Sequence, residues 1–303
     1  MSCIKRPEKD FEWVRYENNP VYRDHIEEEA YQSASDAHVF FDQKDELKMI
    51  YSGDHGGNSS IKLATGKSWT SWESESTLLG NERSADGLDI NKETAFYRLS
   101  ESGKHQIYYI GSEENTSYRA PIYLAEADDL EGPYTISSGP VVSSGNIAGH
   151  DVYCMTSPSV VMHDSLLHLV FIGWNASPSE VSEVWVLGAT SDDDGHTWTN
   201  FQEVETPIGM EGQLTQTDDG KYIAVYTTEY EKREGIYYAT GDHPFGPFQE
   251  EVNPIIVQNR AKLERNEIIA PQIIIDPETG EEHLYYTGAW HVRGWWIMMA
   301  TRP

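Results

Sequence analysis

The sequence LKMIYSG at residues 47–53 is followed by IKLAT at 61–65, and this pair of segments recurs along the whole chain. Alternating apolar and polar positions, with many β-branched and aromatic residues, are typical of β-strands. The later copies of the pair are HQIYYIG and IYLAEA (105–111, 122–127), LHLVFIG and VWVLGAT (167–173, 184–190), YIAVYTT and IYYAT (222–228, 236–240), and HLYYTG and WIMMAT (283–288, 296–301). A repeat of about 55 to 60 residues predicts the blades of a β-propeller.

A further aromatic strand follows the pair in the first four copies, whereas the fifth copy ends at Pro303 without one. The missing strand is present at the other end of the sequence, in FEWVRYENNPVY at 11–22. We therefore predict an all-β, five-bladed propeller whose ring closes when the N-terminal strand joins the last blade. The predicted fourth strands are 71–79, 132–142, 197–208 and 246–257, and the blades, within one domain of residues 1–303, are 34–80, 92–142, 156–208, 211–257, and 268–303 with 11–22.

The charge of the chain excludes two classes of partner. Fifty acidic residues against 22 Lys and Arg give a formal net charge of −28, which repels nucleic acid and anionic membranes. No apolar run approaches the roughly 20 residues that cross a bilayer, and the N-terminus has no hydrophobic signal core, so we expect a cytoplasmic protein. Cys3 and Cys154 are too few for a disulfide framework. The oligomeric state and the reason for the acidity stay open.

Carboxylic acids occupy three of the five positions at which the innermost strands of the predicted blades begin. The five positions are Asp36, Glu93, Ser157, Glu211 and Ala270. Like charges held close together raise at least one pKa, so such a cluster carries a cost that a function must justify. Glycoside hydrolysis uses a carboxylate pair of this kind, one member as acid and the other as base or nucleophile. The sequence therefore favours a glycosidase.

Two of these positions lie in motifs of a known family. Ser35-Asp36-Ala37, and Glu211-Gly212 with the strand that follows, resemble motifs of family-43 glycoside hydrolases, which are arabinanase-like and β-xylosidase-like five-bladed propellers in the clan shared with invertase and levansucrase. The resemblance implies that Asp36 is the general base and Glu211 the general acid. It also implies an orienting Asp on the third blade, where this chain has Ser157. Glu93 or Asp151 could supply that charge, or the site has lost or changed its chemistry.

Further residues at the predicted opening are candidates for sugar binding, because sugar sites combine aromatic faces with polar groups. The substrate-binding candidates are His38, His55, Ser157, Trp174, Glu229 and Arg233. His150-Asp151 lacks the spacing of a metal motif, so we predict no catalytic metal and no required cofactor. A structural Ca²⁺ or Na⁺ in the central channel is compatible with the acidic ring, because hard cations take oxygen ligands.

Three hypotheses about function follow from these observations. The first is a glycoside hydrolase that cleaves oligosaccharides with its carboxylate pair. The second is a non-catalytic carbohydrate-binding propeller, which Ser157 would explain. The third is a glycosyl-transferring or phosphorolytic relative, and phosphorolysis would need cationic residues at the opening; the candidates are Arg98, Arg119, Arg233 and Arg293. The sugar, its linkage and the stereochemical outcome are left open.

Overall fold

The computed structural model describes residues 12–23, 32–55, 58–112, 119–176, 180–205, 209, 211–227, 235–260, 263–290 and 293–303. All regular structure within these ranges is β, as the alternating patterns predicted. None of the described residues forms a helix capable of crossing a membrane. In chain order the described strands are β1 (Val14–Arg15), β2 (Gln32–Phe41), β3 (Leu47–His55), β4 (Asn58–Ser68), β5 (Ser71–Leu79), β6 (Asn91–Leu99), β7 (His105–Ser112), β8 (Ile122–Ala127), β9 (Thr135–Ile136), β10 (Gly145–Ile147), β11 (His150–Val152), β12 (Cys154–His163), β13 (Leu166–Trp174), β14 (Val184–Ser191), β15 (Thr199–Glu203), β16 (Glu211–Gln216), β17 (Tyr222–Thr227), β18 (Gly235–Gly241), β19 (Phe248–Glu250), β20 (Ile256–Val257), β21 (Glu267–Ile275), β22 (Glu282–Trp290) and β23 (Gly294–Arg302).

The strands form five antiparallel units in which strands that follow one another in the chain lie side by side. Unit one is β2–β5, unit two β6–β9, unit three β12–β15, unit four β16–β20, and unit five β21–β23 with β1. A short parallel pairing of Gln32 with Gly294 and of Ser33 with Trp295 joins units one and five into one sheet. The hairpin β10–β11 stands apart from the units.

The apolar core lies between consecutive units. Each of the five junctions has its own cluster of buried side chains, and every cluster includes a buried Tyr: Tyr109 between units one and two, Tyr108 between two and three, Tyr222 between three and four, Tyr286 between four and five, and Tyr285 between five and one. Phe171 is buried between units two and three. The first strand of each unit contacts the first strand of the next, and that of unit five contacts that of unit one. The starts of these first strands are therefore drawn together.

The N-terminal strand pairs with the last strand of unit five, over a shorter span than the predicted 11–22. Val14 pairs with Thr301 and Arg15 with Ala300, and Tyr22 forms a bridge with Ile297. Phe11 lies outside the described residues.

The predicted fourth strands are correct in unit one and too long elsewhere. β5 spans 71–79 as predicted, whereas β9, β15 and β19 are short, and β20 pairs separately with β18. Pro133 and Pro140 flank β9, and Pro247 precedes β19. Because proline has no N–H to donate to a sheet, it limits the length of β9 and β19.

Candidate active site

A β-bulge interrupts the first strand of four units at the same place. In each bulge one residue other than glycine has a left-handed conformation: Asp36 (φ 52°), Thr94 (φ 47°), Ser157 (φ 54°) and Ala270 (φ 48°). Such residues are uncommon, and bulges often aim side chains at functional sites. The residue of unit two equivalent to Asp36 is therefore Thr94, one position after the predicted Glu93. Unit four has no such bulge, and Glu211 begins β16 directly.

Hydrogen bonds between neighbouring units hold these strand starts in place. Each bond runs from a backbone N–H of one first strand to a side-chain oxygen of the preceding unit. The bonds are Asp36 N–H to Thr287 Oγ1 (3.0 Å), Thr94 N–H to Ser52 Oγ (3.2 Å), Gly212 N–H to Ser157 Oγ (3.2 Å) and Ala270 N–H to Glu211 Oε2 (3.2 Å). These bonds fix the positions of the groups at the strand starts relative to one another.

Asp36 is buried, with 8% of its surface exposed. The hydroxyl of Ser35 donates to Oδ2 at 2.8 Å, and further bonds come from Ser52 and the backbone of Thr94. Burial raises the pKa of Asp36, because it disfavours the charged form, while these hydrogen bonds oppose the rise. Asp36 is thus a well-anchored carboxyl group near the start of the first strand of unit one.

Glu93 lies close enough to Asp36 for their charges to interact. The hydroxyl of Ser59 donates to Glu93 Oε1 at 2.7 Å. Glu93 as a whole residue is exposed, yet the surrounding protein desolvates its carboxyl group; this desolvation, followed by the charge of Asp36, raises the pKa of Glu93. An exposed acid enclosed in this way fits the wall of a concave opening.

Glu211 is as buried as Asp36, also with 8% exposed. One carboxylate oxygen accepts the N–H of Ala270, and its own carbonyl oxygen accepts the hydroxyl of Thr227 at 3.4 Å. Burial, and then the charges of Glu93 and Glu211, raise the pKa of the Cys154 thiol to about 12. Glu93 of unit two and Glu211 of unit four are therefore both close enough to Cys154 of unit three for their charges to act on its thiol.

Ser157 is buried and brings no charge to the site. Its hydroxyl accepts the N–H of Gly212, next to Glu211, and lies 3.4 Å from Thr156 Oγ1. Ser157 thus anchors the backbone that carries Glu211.

His38 is packed below the strand starts. Its Nδ1 lies 3.0 Å from Gln213 Oε1 of unit four, and its ring centroid lies 4.3 Å from that of Phe96 in unit two. Burial lowers the pKa of His38 to about 4, so the ring is neutral near pH 7. Because units one and four are not consecutive, this contact reaches across the middle of the molecule. The packing favours a structural role, and sugar binding by His38 stays a prediction.

Other predicted residues lie away from this group. Trp174 is buried in the cluster between units two and three. Asp151 is exposed on the hairpin β10–β11, opposite Asn146, and the neighbouring His150 stacks on Trp185 of β14 at 4.5 Å. The hairpin therefore lies over the third strand of unit three, not over the first strand that carries Ser157.

Three further candidates are not placed. His55 ends β3, but its side chain lies outside what the structure describes, as do Glu229 and Arg233 entirely. Within the described ranges no three His, Cys, Asp or Glu side chains are grouped to hold a metal ion. The ion suggested for the central channel stays a prediction.

Sequence reasoning missed Thr94, Ser52 and Thr287, which support the acids. A signal for Thr94 was present, because each bulge residue is followed by Ala or Pro. The four pairs are Asp36-Ala37, Thr94-Ala95, Ser157-Pro158 and Ala270-Pro271. Ser52 and Thr287 lie in second strands, where only the apolar positions of the repeat were used for prediction.

A small, largely apolar cleft lies between units three and four. It reaches Ser157 and Gly212 at one end, but Val, Ile, Leu and aromatic side chains make up most of its wall. Sugar hydroxyls need polar partners, so the strand starts are the better candidate for the site.

Comparison with known proteins identifies the fold. A solved BT0996–RGII complex is 16% identical over 91% of this protein and 89% of its own length, with a TM-score of 0.73. A thermostable family-43 glycoside hydrolase is 13% identical over 89% of this protein and 88% of its own length, with a TM-score of 0.67. The GH43_1 enzyme from Xanthomonas citri complexed with xylotriose is 15% identical over 89% of this protein and 86% of its own length, with a TM-score of 0.65. No protein-family model and no curated protein matches the sequence.

These similarities confirm the resemblance that the motifs at Asp36 and Glu211 indicated, at the level of the fold. The protein has the fold of the family-43 glycoside hydrolases across nearly its whole length. Because one fold can host several functions, the activity has to be argued from the site itself.

Proposed function

We propose that this protein is a glycoside hydrolase that cleaves O-glycosidic bonds of oligosaccharides, with Asp36 as general base and Glu211 as general acid. The observation that carries the proposal is the anchoring of two buried carboxyl groups at first-strand starts in a protein with the family-43 fold. Buried acids without a function are a cost to stability, and such cost concentrates at functional sites.

In the proposed mechanism Glu211 gives a proton to the oxygen of the leaving sugar while the glycosidic bond breaks. Asp36, as the ionised partner, accepts a proton from the water that attacks the sugar from the other face. The N–H of Ala270 orients Glu211, and the hydroxyl of Ser35 orients Asp36. Glu93 adds negative charge beside Asp36, which favours the positively charged sugar of the transition state.

We further propose that the five units are the blades of a closed propeller formed by residues 1–303 as one domain. Two observations support it: consecutive first strands are in contact, including those of units five and one, and the N-terminal strand pairs with β23. In such a ring Asp36, Glu93 and Glu211 face one opening.

A non-catalytic carbohydrate-binding protein is the second candidate, and Ser157 favours it. The family motif has an acid where this chain has a hydroxyl bonded to Gly212. In our proposal Glu93 supplies the negative charge that Ser157 lacks, because the charge of Glu93 acts on Asp36 and on Cys154, which is also affected by Glu211.

The proposal is tested by screening the protein against aryl-glycosides and arabino-, xylo-, fructo- and galacto-oligosaccharides at low and high salt. We expect turnover of at least one substrate and a loss of about 1,000-fold in Asp36→Asn, the scale of a removed acid or base. Asp45→Asn, which changes an exposed acid in a turn, is the matched control and should keep full activity. Stabilisation by a sugar without turnover would contradict hydrolysis and support the binding protein.

A further inference from the structure

In every unit the first strand begins and the second strand ends at the same end, and we call this end of the molecule the mouth. At the mouth of unit five, two arginines contact one tryptophan. Trp290 is the last residue of β22. The guanidinium carbon of Arg265 lies 5.2 Å from the centroid of the Trp290 ring, and that of Arg293 lies 4.6 Å from it. Both arginines are exposed, whereas Trp290 is half-buried. The indole therefore holds two guanidinium groups at the surface of the mouth.

Neither guanidinium forms an ion pair with any residue that the structure describes. Other arginines do: Arg15 pairs with Glu264, Arg98 with Asp194, and Arg302 with Glu282. In a protein with 50 acidic and 22 basic residues, carboxylate partners are abundant. Two adjacent cations that have no carboxylate partner among the described residues are available for an anion from outside the protein.

A third arginine, Arg119, lies beside an aromatic ring at the mouth of units two and three. The guanidinium carbon of Arg119 lies 5.8 Å from the ring centroid of Tyr153, the residue that precedes β12, and Arg119 is exposed. No ion pair joins Arg119 to the described part of the chain. Arg98, by contrast, is bound to Asp194 and is not free for a ligand.

The Trp290 group and the Arg119–Tyr153 pair lie at similar distances along the strands from the bulges. Trp290 pairs with Gly294, which pairs with Gln32, four residues before Asp36, and Tyr153 lies four residues before Ser157. At roughly 3.3 Å per residue, each pair is roughly 13 Å along the strand from its bulge. A ligand of several sugar units can therefore reach from the acids to either pair.

We propose that the mouth binds an oligosaccharide that carries carboxylate groups, that is, one containing uronic acid, through Arg265 and Arg293 with Arg119 opposite. The planar fork of a guanidinium matches a carboxylate with two parallel hydrogen bonds, and the aromatic ring fixes the orientation of that fork. The net charge of −28 repels anions at long range, so this recognition acts at short range. This inference rests on the proposed function, because it names the substrate class of the same site.

The test compares trigalacturonate with galactotriose, which has the same sugar units without carboxylates. Binding is measured by calorimetry on Glu211→Gln protein, so that turnover does not intervene. We expect trigalacturonate to bind at least ten times more tightly than galactotriose. The double variant Arg265→Gln/Arg293→Gln should lose at least ten-fold affinity for the acidic sugar and none for the neutral one. Lys67→Gln, which removes an exposed positive charge near the far end of β4, should change neither affinity.

Equal affinities for the two sugars, or an unchanged affinity for trigalacturonate in the double variant, would overturn the inference. Tight binding of a 6-sulfated galactotriose with no binding of trigalacturonate would also overturn it. A thermal melt of each variant separates lost binding from lost folding, and Arg293→Lys gives a second variant with the charge kept and the fork removed. If Asp36→Asn leaves hydrolysis unchanged while these binding results hold, the proposed function fails and the ligand class stands.

Discussion

Asp36 has a left-handed backbone conformation that costs a residue with a side chain about 1 to 3 kcal/mol. The surrounding bonds, from its own N–H to Thr287 and from Ser35 to its carboxylate, stabilise that conformation. Strain of this kind persists where the protein needs a group in one place. The bulge therefore aims a carboxyl group that a regular strand would direct elsewhere.

Substitutions at Ser157 show what a third acid would do to the proposed general acid Glu211. Ser157→Asp adds a carboxylate beside Gly212, and Asp tolerates the left-handed conformation at this position. The new charge opposes ionisation of Glu211, so the alkaline limb of the kcat/KM profile should move up by about one pH unit. Ser157→Asn has the same shape without charge and should leave the limb in place. Identical profiles for the two variants would contradict the assignment of Glu211 as the acid.

His38 should make the stability of the protein depend on pH. Its pKa is about 4 in the folded protein and about 6.5 when unfolded, so the folded state binds fewer protons between these values. Its contribution is complete above pH 6.5 and is lost as the pH falls towards 4, by about 3 kcal/mol in all. The free energy of unfolding of His38→Gln, measured in urea, should therefore fall less steeply over this window than that of the native protein.

His196 provides the control for this measurement. It is half exposed, and the carbonyl of Asp193 raises its pKa, so its contribution has the opposite sign. Removing it in His196→Gln should make the fall in stability with falling pH steeper. A native protein and a His38→Gln variant with parallel pH profiles would show that His38 is not buried in a neutral form.

Residue types at the site could be read from the sequence, but backbone conformation could not. Asp36, Ser157, Glu211 and Ala270 were found because the repeat places them at equal offsets from the second strands. The same count placed Glu93, not Thr94, at this position in unit two, because the extra residue of a bulge shifts the count by one. Hydrogen bonds between units, such as Asp36 to Thr287, join residues too remote in sequence for local patterns to predict.

Among the elements, inner strands were easier to predict than outer ones. The second and third strands of each unit are buried and keep a strong apolar pattern. The fourth strands are partly exposed, so composition alone overestimated their length, and Pro and Gly mark where pairing stops.

The N-terminal strand is held by an ion pair that should contribute measurably to stability. Arg15 binds both carboxylate oxygens of Glu264, at 3.0 and 2.9 Å, and Glu264 is buried. Arg15→Met leaves that carboxylate without its cation, and we expect a loss of about 2 kcal/mol, less than for a fully buried pair because Arg15 is partly exposed. Urea unfolding measures the loss.

Lys67→Met serves as the control for Arg15→Met. Lys67 and Glu73 form an exposed pair, whose loss should cost less than about 1 kcal/mol. The double variant Arg15→Met/Glu264→Gln should recover part of the loss, because no buried charge then remains. Equal stabilities for Arg15→Met and the native protein would mean that β1 does not depend on this pair.

At the scale of the whole molecule, the net charge of −28 is distributed over one compact set of sheets, and its self-repulsion opposes folding. Salt screens that repulsion, since the Debye length falls from about 30 Å at 0.01 M to about 3 Å at 1 M. We expect Tm to rise by several degrees between these concentrations. The rise should be the same in NaCl and KCl, because screening depends on ionic strength. A Tm that falls steadily with salt would show that ion pairs outweigh the repulsion.

If Glu211 protonates the leaving group, the effect of removing its acid depends on how much that group needs a proton. We would measure kcat/KM of Glu211→Gln on an unactivated oligosaccharide and on the dinitrophenyl glycoside of the same sugar, with Glu278→Gln as the exposed control. From this role of Glu211 we expect a loss of about 1,000-fold on the oligosaccharide and of about ten-fold or less on the dinitrophenyl glycoside, whose leaving group needs no proton. Equal losses on the two substrates, or no loss on either, would contradict it.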